Sequence, residues 1–329
     1  MTLTTNIMIK RTLYFGNPAY LSMRLGQLVV RMLDSGGGSG PPGQTDEKND
    51  GTFSSECSRT PVKTVPIEDI GMVILDNRRI TITQGLMEML IDNNCAIVTC
   101  GSNHLPVGLM LPLYCNTIQN ERFRRQLDSS VPLKKQLWQQ TIQAKIHNQA
   151  AVLKYVTGEI HNNMNVWENQ VRSGDADNME ARAAVYYWRT VFPSHPDFIR
   201  GQFEDFPNNL LNYGYAILRA IIARALVGSG LLPTLGIHHH NRYNAYCLAD
   251  DIMEPYRPYV DRLVYDIVAA GCPEELDKET KVKLLSIPSL DVSVNGRRSP
   301  LMVAASTTTA SLAKCFSGEI RKIIYPEMT

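Results

Sequence analysis

The chain has 329 residues, 44% of them hydrophobic and 20% charged, with a formal net charge of +1. That is enough apolar material for one large or two ordinary domains and the composition of a globular protein, which excludes a disordered or fibrous class, whereas the net charge alone says nothing about nucleic acid. The seven cysteines at 57, 95, 100, 115, 247, 272 and 315 are odd in number, form no CxxC pair and follow no apolar leader, so the expectation is reduced thiols in a cytoplasm without a disulfide framework or structural zinc.

Taken in chain order, Lys10–Phe15 alternates as a strand, Asn17-Pro18 marks a turn, and Tyr20–Met32 carries further strand-like residues. Residues 36–58 open on a Gly/Ser/Pro run and stay polar, with five acids against two bases over Asp34–Thr60. This reads as a flexible insertion, and the lack of a GK[ST] ending argues against a phosphate loop. Ile67–Leu75 and Ile80–Thr83 read as strands, Gly85–Asp92 as a helix ended at Asn93-Asn94, and Cys95–Cys100 as a buried strand. From about Thr117 helical spacing takes over: 119–127, 133–157, 179–190, 208–227, 249–270, 278–285 and 299–315. The expected fold is therefore α+β: a β-rich N-terminal domain over 1–105, a linker over 106–116, and a larger all-α domain over 117–329. No uninterrupted apolar stretch approaches the roughly 18 residues that span a bilayer.

Four segments carry chemistry. Leu235–Asp261 places His238, His239 and His240 before an acidic helix start with Asp250, Asp251 and Glu254. Imidazole and carboxylate together suit Mn²⁺, Mg²⁺, Zn²⁺ or Fe²⁺. The same residues also read as a solvated His run and dipole-stabilised acids. Glu180 begins the helix Met179–Thr190 with Ala184 and Tyr187 on its face, and for an isolated glutamate helix capping is the plainer reading. Phe206–Val227 is a core stripe in which Gly214 signals a close backbone contact. Arg122–Lys145, with Trp138 among its bases, reads equally as a phosphate-tracking surface or a solvated helix face.

As an ordered set these segments resemble the CRISPR adaptation integrases, the Cas-one family, in its type II branch. The resemblance runs from Lys10–Phe15 through Leu137-Trp138-Gln139-Gln140, Lys145–Gln149, Glu180–Ala184 and Asn212–Tyr215 to Leu235–His239 and Asp251–Pro258. It implies Glu180, His239 and Glu254 as catalytic residues and ligands of Mg²⁺ or Mn²⁺, with His239 chosen among the three histidines by a spacing of about fifteen residues to the acid. It implies joining of 3′-hydroxyl ends of short duplex DNA to a CRISPR repeat by transesterification, with side nuclease activity. Candidate phosphate contacts are Arg182, Arg242, Arg257, Lys134 and Lys145. Implied partners are a second copy of the chain, double-stranded DNA, a small Cas-two protein in a heterohexamer, and in the type II branch the effector nuclease and a DNA-end-binding accessory protein, all in a prokaryotic cytoplasm. The competing expectations are a metal-dependent hydrolase of another substrate and a DNA-binding scaffold without catalysis.

Overall fold

A computed structural model describes residues 10–32, 63–102, 104–201 and 205–328. The polar insertion expected at 36–58 and Cys57 lie outside these residues, and the six described cysteines are all free. The chain opens with β1 (Arg11–Phe15), then a hairpin of β2 (Ala19–Arg24) and β3 (Gln27–Met32). The Leu25-Gly26 turn between them has positive φ at both residues, 50° and 70°, the backbone that matches a hairpin's twist. β4 (Lys63–Pro66), β5 (Ile70–Leu75), β6 (Ile80–Ile82), α1 (Gln84–Asp92), β7 (Ala96–Cys100) and β8 (Pro106–Met110) complete this half. As Asn93-Asn94 suggests, Asn94 after α1 is left-handed, with φ 53°.

Two four-stranded sheets result, in the orders β1-β5-β7-β8 and β4-β3-β2-β6. In the first, β1, β5 and β7 are parallel and β8 is antiparallel to β7. Its two faces separate by alternation from Met72 onward, after a register slip between Ile70 and Met72. Ile70, Val73 and Ile97 pack toward the second sheet and α1, whereas Met72, Ile74, Ala96 and Val98 pack into the helical half. A sheet covered on both faces needs near-continuous apolar strands, and that is why β5 and β7 read as they do.

The helical half comprises α2 (Gln119–Leu127), α3 (Val131–Thr157), α4 (Asn162–Gln170), α5 (Met179–Thr190), α6 (Asn208–Gly228), α7 (Cys247–Met253), α8 (Arg257–Ala269), α9 (Lys278–Leu284) and α10 (Leu301–Phe316). The hairpin β9 (Asp291–Val294) and β10 (Arg297–Pro300) precedes α10. α6 is the centre, with 15 of its 21 residues buried. By length and composition α6 could cross a membrane, although no uninterrupted apolar run in the sequence suggests it; most of it is buried inside the fold, as a core helix is. Gly214 lies where a Cβ would stand 2.6 Å from Val260 Cγ1, so the close contact inferred at this glycine is with α8.

Three expectations are corrected. Residues 106–110 are not linker: they form β8, paired from Met110 opposite Ile97 to Pro106 opposite Cys100. Proline is tolerated there because it sits at the first residue of an edge strand. The second half is not purely helical, because Asn295-Gly296, both at positive φ, turn β9 into β10. The helix expected over 249–270 is two helices, α7 and α8, joined by a 3-10 turn over Glu254–Tyr256. Pro255 and Pro258 each occupy the first turn of the segment they start, where a missing N–H costs nothing.

Candidate active site

Glu180 and Glu254 come from separate elements and converge on the Lys145 ammonium, and His239, from a third, lies near enough for both carboxylates to act on its charge. Glu180 stands in the first turn of α5, whose start is capped by Asp175: its Oδ1 accepts from Met179 N at 2.9 Å and its Oδ2 from Glu180 N at 3.0 Å. Glu254 opens the 3-10 turn between α7 and α8, with its side chain 7% exposed. α3 passes beneath both. Trp138, Lys145 and Val152 recur every seven residues on that helix, and Trp138 and Val152 are buried. Lys145 therefore points inward. Its ammonium lies 2.6 Å from Glu180 Oε1 and 2.6 Å from Glu254 Oε2. Arg257 Nε donates to the other oxygen of Glu254, Oε1, at 2.8 Å. Asn148, three residues along α3, donates to the Pro255 carbonyl at 2.7 Å and fixes the turn that carries Glu254.

Charge follows from this arrangement. Burial alone would push the Glu254 carboxyl up, but Arg257 and Lys145 outweigh it and hold the group at about 2. Burial likewise opposes the Lys145 charge, and the Glu254 and Glu180 carboxylates overcome it, so its pKa is raised. The site is thus a two-acid, two-base cluster in which burial opposes the charges of Lys145, Glu254 and Arg257 and their mutual attraction keeps them.

The histidine loop is folded by Asp251. This carboxylate, 0% exposed, accepts from Ile237 N (2.7 Å) and His238 N (3.0 Å) on Oδ2, and from His239 N (3.2 Å) on Oδ1. The His239 Nδ1 lies 2.5 Å from the same Oδ1. A carboxylate there orients the ring, and once Nδ1–H is donated, Nε2 carries the lone pair. Asp251 raises the His239 pKa, and Glu254 and Glu180 raise it further. Gly236 is required beneath the loop, since a Cβ would run into the His239 carbonyl oxygen and lie 2.8 Å from Asp251 Oδ2. Trp138 stacks flat on His238, 4.1 Å between centroids and 2° between planes, and meets His239 edge-on at 5.6 Å. Burial lowers the His238 pKa. All three histidines are exposed, and their partners distinguish them: His238 stacks on Trp138, and the His239 ring is held by Asp251 with 46% of its side chain exposed.

Among the described residues no three His, Cys, Asp or Glu side chains stand close enough to close round an ion; the cation between Glu180 and Glu254 is the Lys145 ammonium. The donor set nonetheless fits a divalent ion. Two carboxylate oxygens face one cation position, and an imidazole beside them is oriented through its Nδ1. Glu254 Oε2 is fully buried, and the cation it faces is the Lys145 ammonium at 2.6 Å.

Of the expected phosphate contacts, Arg182 and Arg242 are exposed and Lys134 is half-buried. Arg257 and Lys145 are engaged elsewhere, on the site carboxylates, so neither lies on an open basic face. The residues that sequence reading left out are Asp251, Trp138 and Asn148 as supports, and Asp261. Asp261 is buried on α8, accepting from Tyr187 OH at 2.9 Å and Tyr215 OH at 2.5 Å. The Tyr215 ring carries the Arg257 guanidinium 4.5 Å above it, so this cluster props the arginine that holds Glu254.

Burial raises the Asp261 carboxyl to about 6 from 3.8. For an acid with a raised folded pKa the folded state binds the extra proton between the two values. Stability from this group is then complete below about 3.8 and lost as pH rises through about 6. Asp261→Asn should remove that loss, about 3 kcal/mol at most, from the pH 4–6 window of a denaturant-stability profile. An unchanged slope in the variant would show that Asp261 does not titrate there.

Similarity to known proteins settles the kinship of this chain. The family model described as CRISPR associated protein Cas1 matches residues 42–286. The chain belongs to the Cas1 family. A protein of Neisseria meningitidis serogroup C (strain 8013) named CRISPR-associated endonuclease Cas1 is 36% identical over 250 residues, covering 75% of this chain and 81% of that one. Among solved structures, a casposase bound to integration product superposes with a TM-score of 0.73 at 20% identity, covering 95% of this chain and 92% of that chain. A chain of a Cas6-RT-Cas1–Cas2 complex superposes at 0.67 and 17% identity, covering 97% of this chain and 36% of that chain. At these identities the structural likeness establishes the fold: an N-terminal β half followed by a helical half, as the sequence suggests.

Proposed function

We propose that this Cas1-family chain is a CRISPR adaptation integrase of the type II branch, which joins the 3′-hydroxyl ends of short duplex DNA to a CRISPR repeat. Glu180, His239 and Glu254 would hold Mg²⁺ or Mn²⁺. The observation that carries this is the convergence of Glu180 and Glu254 on one cation position, with His239 oriented beside them by Asp251. Membership of the Cas1 family and the endonuclease name of its Neisseria relative support a nuclease or integrase; the casposase with bound integration product favours strand joining. His239 is half exposed, which suits a long polymeric substrate better than a small molecule in a closed cavity.

A divalent ion, when bound, supplies acidity to a hydroxyl and offsets charge at the phosphate. The chain's own groups do the rest. Asp251 keeps the His239 ring in one orientation, and Arg257 holds Glu254 through one oxygen so that the other faces the site. Arg182 and Arg242 are exposed cations suited to phosphate contacts, which sets a salt-sensitive affinity. No side-chain nucleophile is needed, because the hydroxyl belongs to the DNA; water in its place gives nuclease activity. Two homodimers flanking a dimer of Cas2, a heterohexamer, are the assembly this reading implies, with the type II effector nuclease and end-binding protein as further partners, and the likeness to a chain of a Cas1–Cas2 complex supports the Cas2 contact.

The test is strand joining by the full-length protein with Cas2, a short duplex with 3′-hydroxyl ends and a plasmid bearing a repeat, in Mg²⁺ or Mn²⁺ against EDTA. Joined strands are expected only with metal, lost in His239→Ala and retained in part in His240→Ala. Joining that survives EDTA, or that survives in His239→Ala, overturns the reading.

A further inference from the structure

The candidate active site contains one group that a metal-holding role does not ask for. Lys145 is a buried cation, 12% exposed, with its nitrogen 2.6 Å from an oxygen of each glutamate. The two oxygens are therefore no more than twice that distance apart, and the nitrogen sits between them. A divalent ion held by the same two oxygens would need the position the ammonium fills, since metal–oxygen distances are about 2.0–2.2 Å. Both cations cannot occupy that space. Arg257 raises no such conflict, because it takes the other oxygen of Glu254.

We propose that Lys145 is a tethered cation that competes with the divalent ion for Glu180 and Glu254, so that metal loading proceeds by displacement of its ammonium. This rests on the metal reading above. A buried carboxylate, Glu254, and a half-buried one, Glu180, that share one position repel each other, and without a counter-cation one of them must take up a proton or admit water. The lysine keeps the pair ionised and together before metal arrives. Lysine suits such a role, because an ammonium on a flexible four-carbon stem offers a point charge that can withdraw, whereas the planar fork of an arginine would lock onto the acids. α3 supplies the anchorage, with Trp138 and Val152 buried one heptad either side and Asn148 tied to the Pro255 carbonyl. The stem thus starts from a fixed point, and only its end need move. The consequence is a threshold: the site discriminates against low metal concentrations, and the apo chain is spared the cost of bare buried charge.

The experiment is Mn²⁺ titration of the full-length protein without DNA, with free ion read by electron paramagnetic resonance, for the parent, Lys145→Gln, Lys145→Arg and Glu180→Gln. Lys145→Gln is expected to bind Mn²⁺ at least tenfold more tightly than the parent, Lys145→Arg no more tightly, and Glu180→Gln at least tenfold more weakly. If Lys145→Gln binds no more tightly than the parent while Glu180→Gln binds more weakly, the metal reading stands and the competition falls. If the parent and Lys145→Gln bind no better than Glu180→Gln, the metal reading falls and the competition with it. A second measurement needs no variant: acetylation of Lys145 in the parent, followed by mass spectrometry, should rise when Mn²⁺ is added while other lysines hold constant. Unchanged labelling at Lys145 overturns displacement.

Discussion

Glu254→Gln is expected to abolish metal-dependent strand joining and to destabilise the protein by about 3–5 kcal/mol, the cost of removing one partner from a buried ion cluster. The substitution keeps the shape of the side chain and removes its charge. Arg257 then has a neutral oxygen where it had a carboxylate, and Lys145 keeps only Glu180. The size can be reached by a second route. The Glu254 carboxyl lies at about 2 in the fold against 4.5 for its ordinary value. A depressed acid contributes stability that is present above the unfolded value and lost as pH falls through the folded one, here about 3 kcal/mol between pH 4.5 and 2. The two routes agree within their precision. Denaturant unfolding at pH 7 and at pH 3 checks both, with the difference between parent and variant largest at pH 7 and shrinking toward pH 2. A variant as stable as the parent at pH 7 would mean that Lys145 and Arg257 find other anions or water, and that the cluster is far looser than its 2.6 and 2.8 Å contacts indicate. The acid limb of Glu254 and the limb of Asp261 have opposite signs and windows that overlap only between about 3.8 and 4.5, so one pH profile resolves them.

What the sequence carried best was periodicity. α2, α5 and α6 fall where their apolar spacing puts them, and the buried strand β7 is legible because a sheet covered on both faces leaves no polar alternation. α4 was not legible: Asn162–Gln170 is mostly asparagine and glutamine, with Met164, Val166 and Trp167 as its apolar residues, and it is held by packing on α3 and not by propensity. The β9–β10 hairpin had a usable signal in Asn295-Gly296, which the surrounding helical texture masked. In the site, the pairing of Glu180 with Glu254 through Lys145 joins positions 35 and 109 residues apart from the lysine along the chain, and no local pattern encodes that. Lys145 itself could have been placed: it lies a heptad from Trp138 and from Val152, inside the buried stripe of α3, so a basic residue there cannot serve an open phosphate-tracking face. Asp251 was misleading in another way. An acid near a helix start reads as a dipole-stabilised surface group, whereas this one is buried with a loop wrapped round it.

That loop sets up the second large effect. Asp251→Ala withdraws the acceptor for three backbone N–H groups and for the His239 ring together. Each buried donor left without a partner costs about 1–3 kcal/mol, so a loss of about 3 kcal/mol or more is expected even with water entering the gap. Asp251→Asn separates support from charge. Its one amide oxygen can still accept from part of the loop, so the fold should survive with a smaller loss, but the amide cannot hold a charged or Nδ1-protonated imidazole as a carboxylate does. Loss of such a support beneath a ligating histidine typically lowers metal affinity about 10–100-fold. The expected result is therefore a folded Asp251→Asn protein with weakened Mn²⁺ binding and a His239 pKa no longer raised, the latter read from its imidazole resonances by NMR titration. The direction of that pKa is the deciding quantity, because Asp251 is the first cause of its elevation, ahead of Glu254 and Glu180. If the His239 pKa stays raised in Asp251→Asn, the two glutamates alone govern the ring, and the orienting role passes from Asp251 to the Trp138 edge contact that remains.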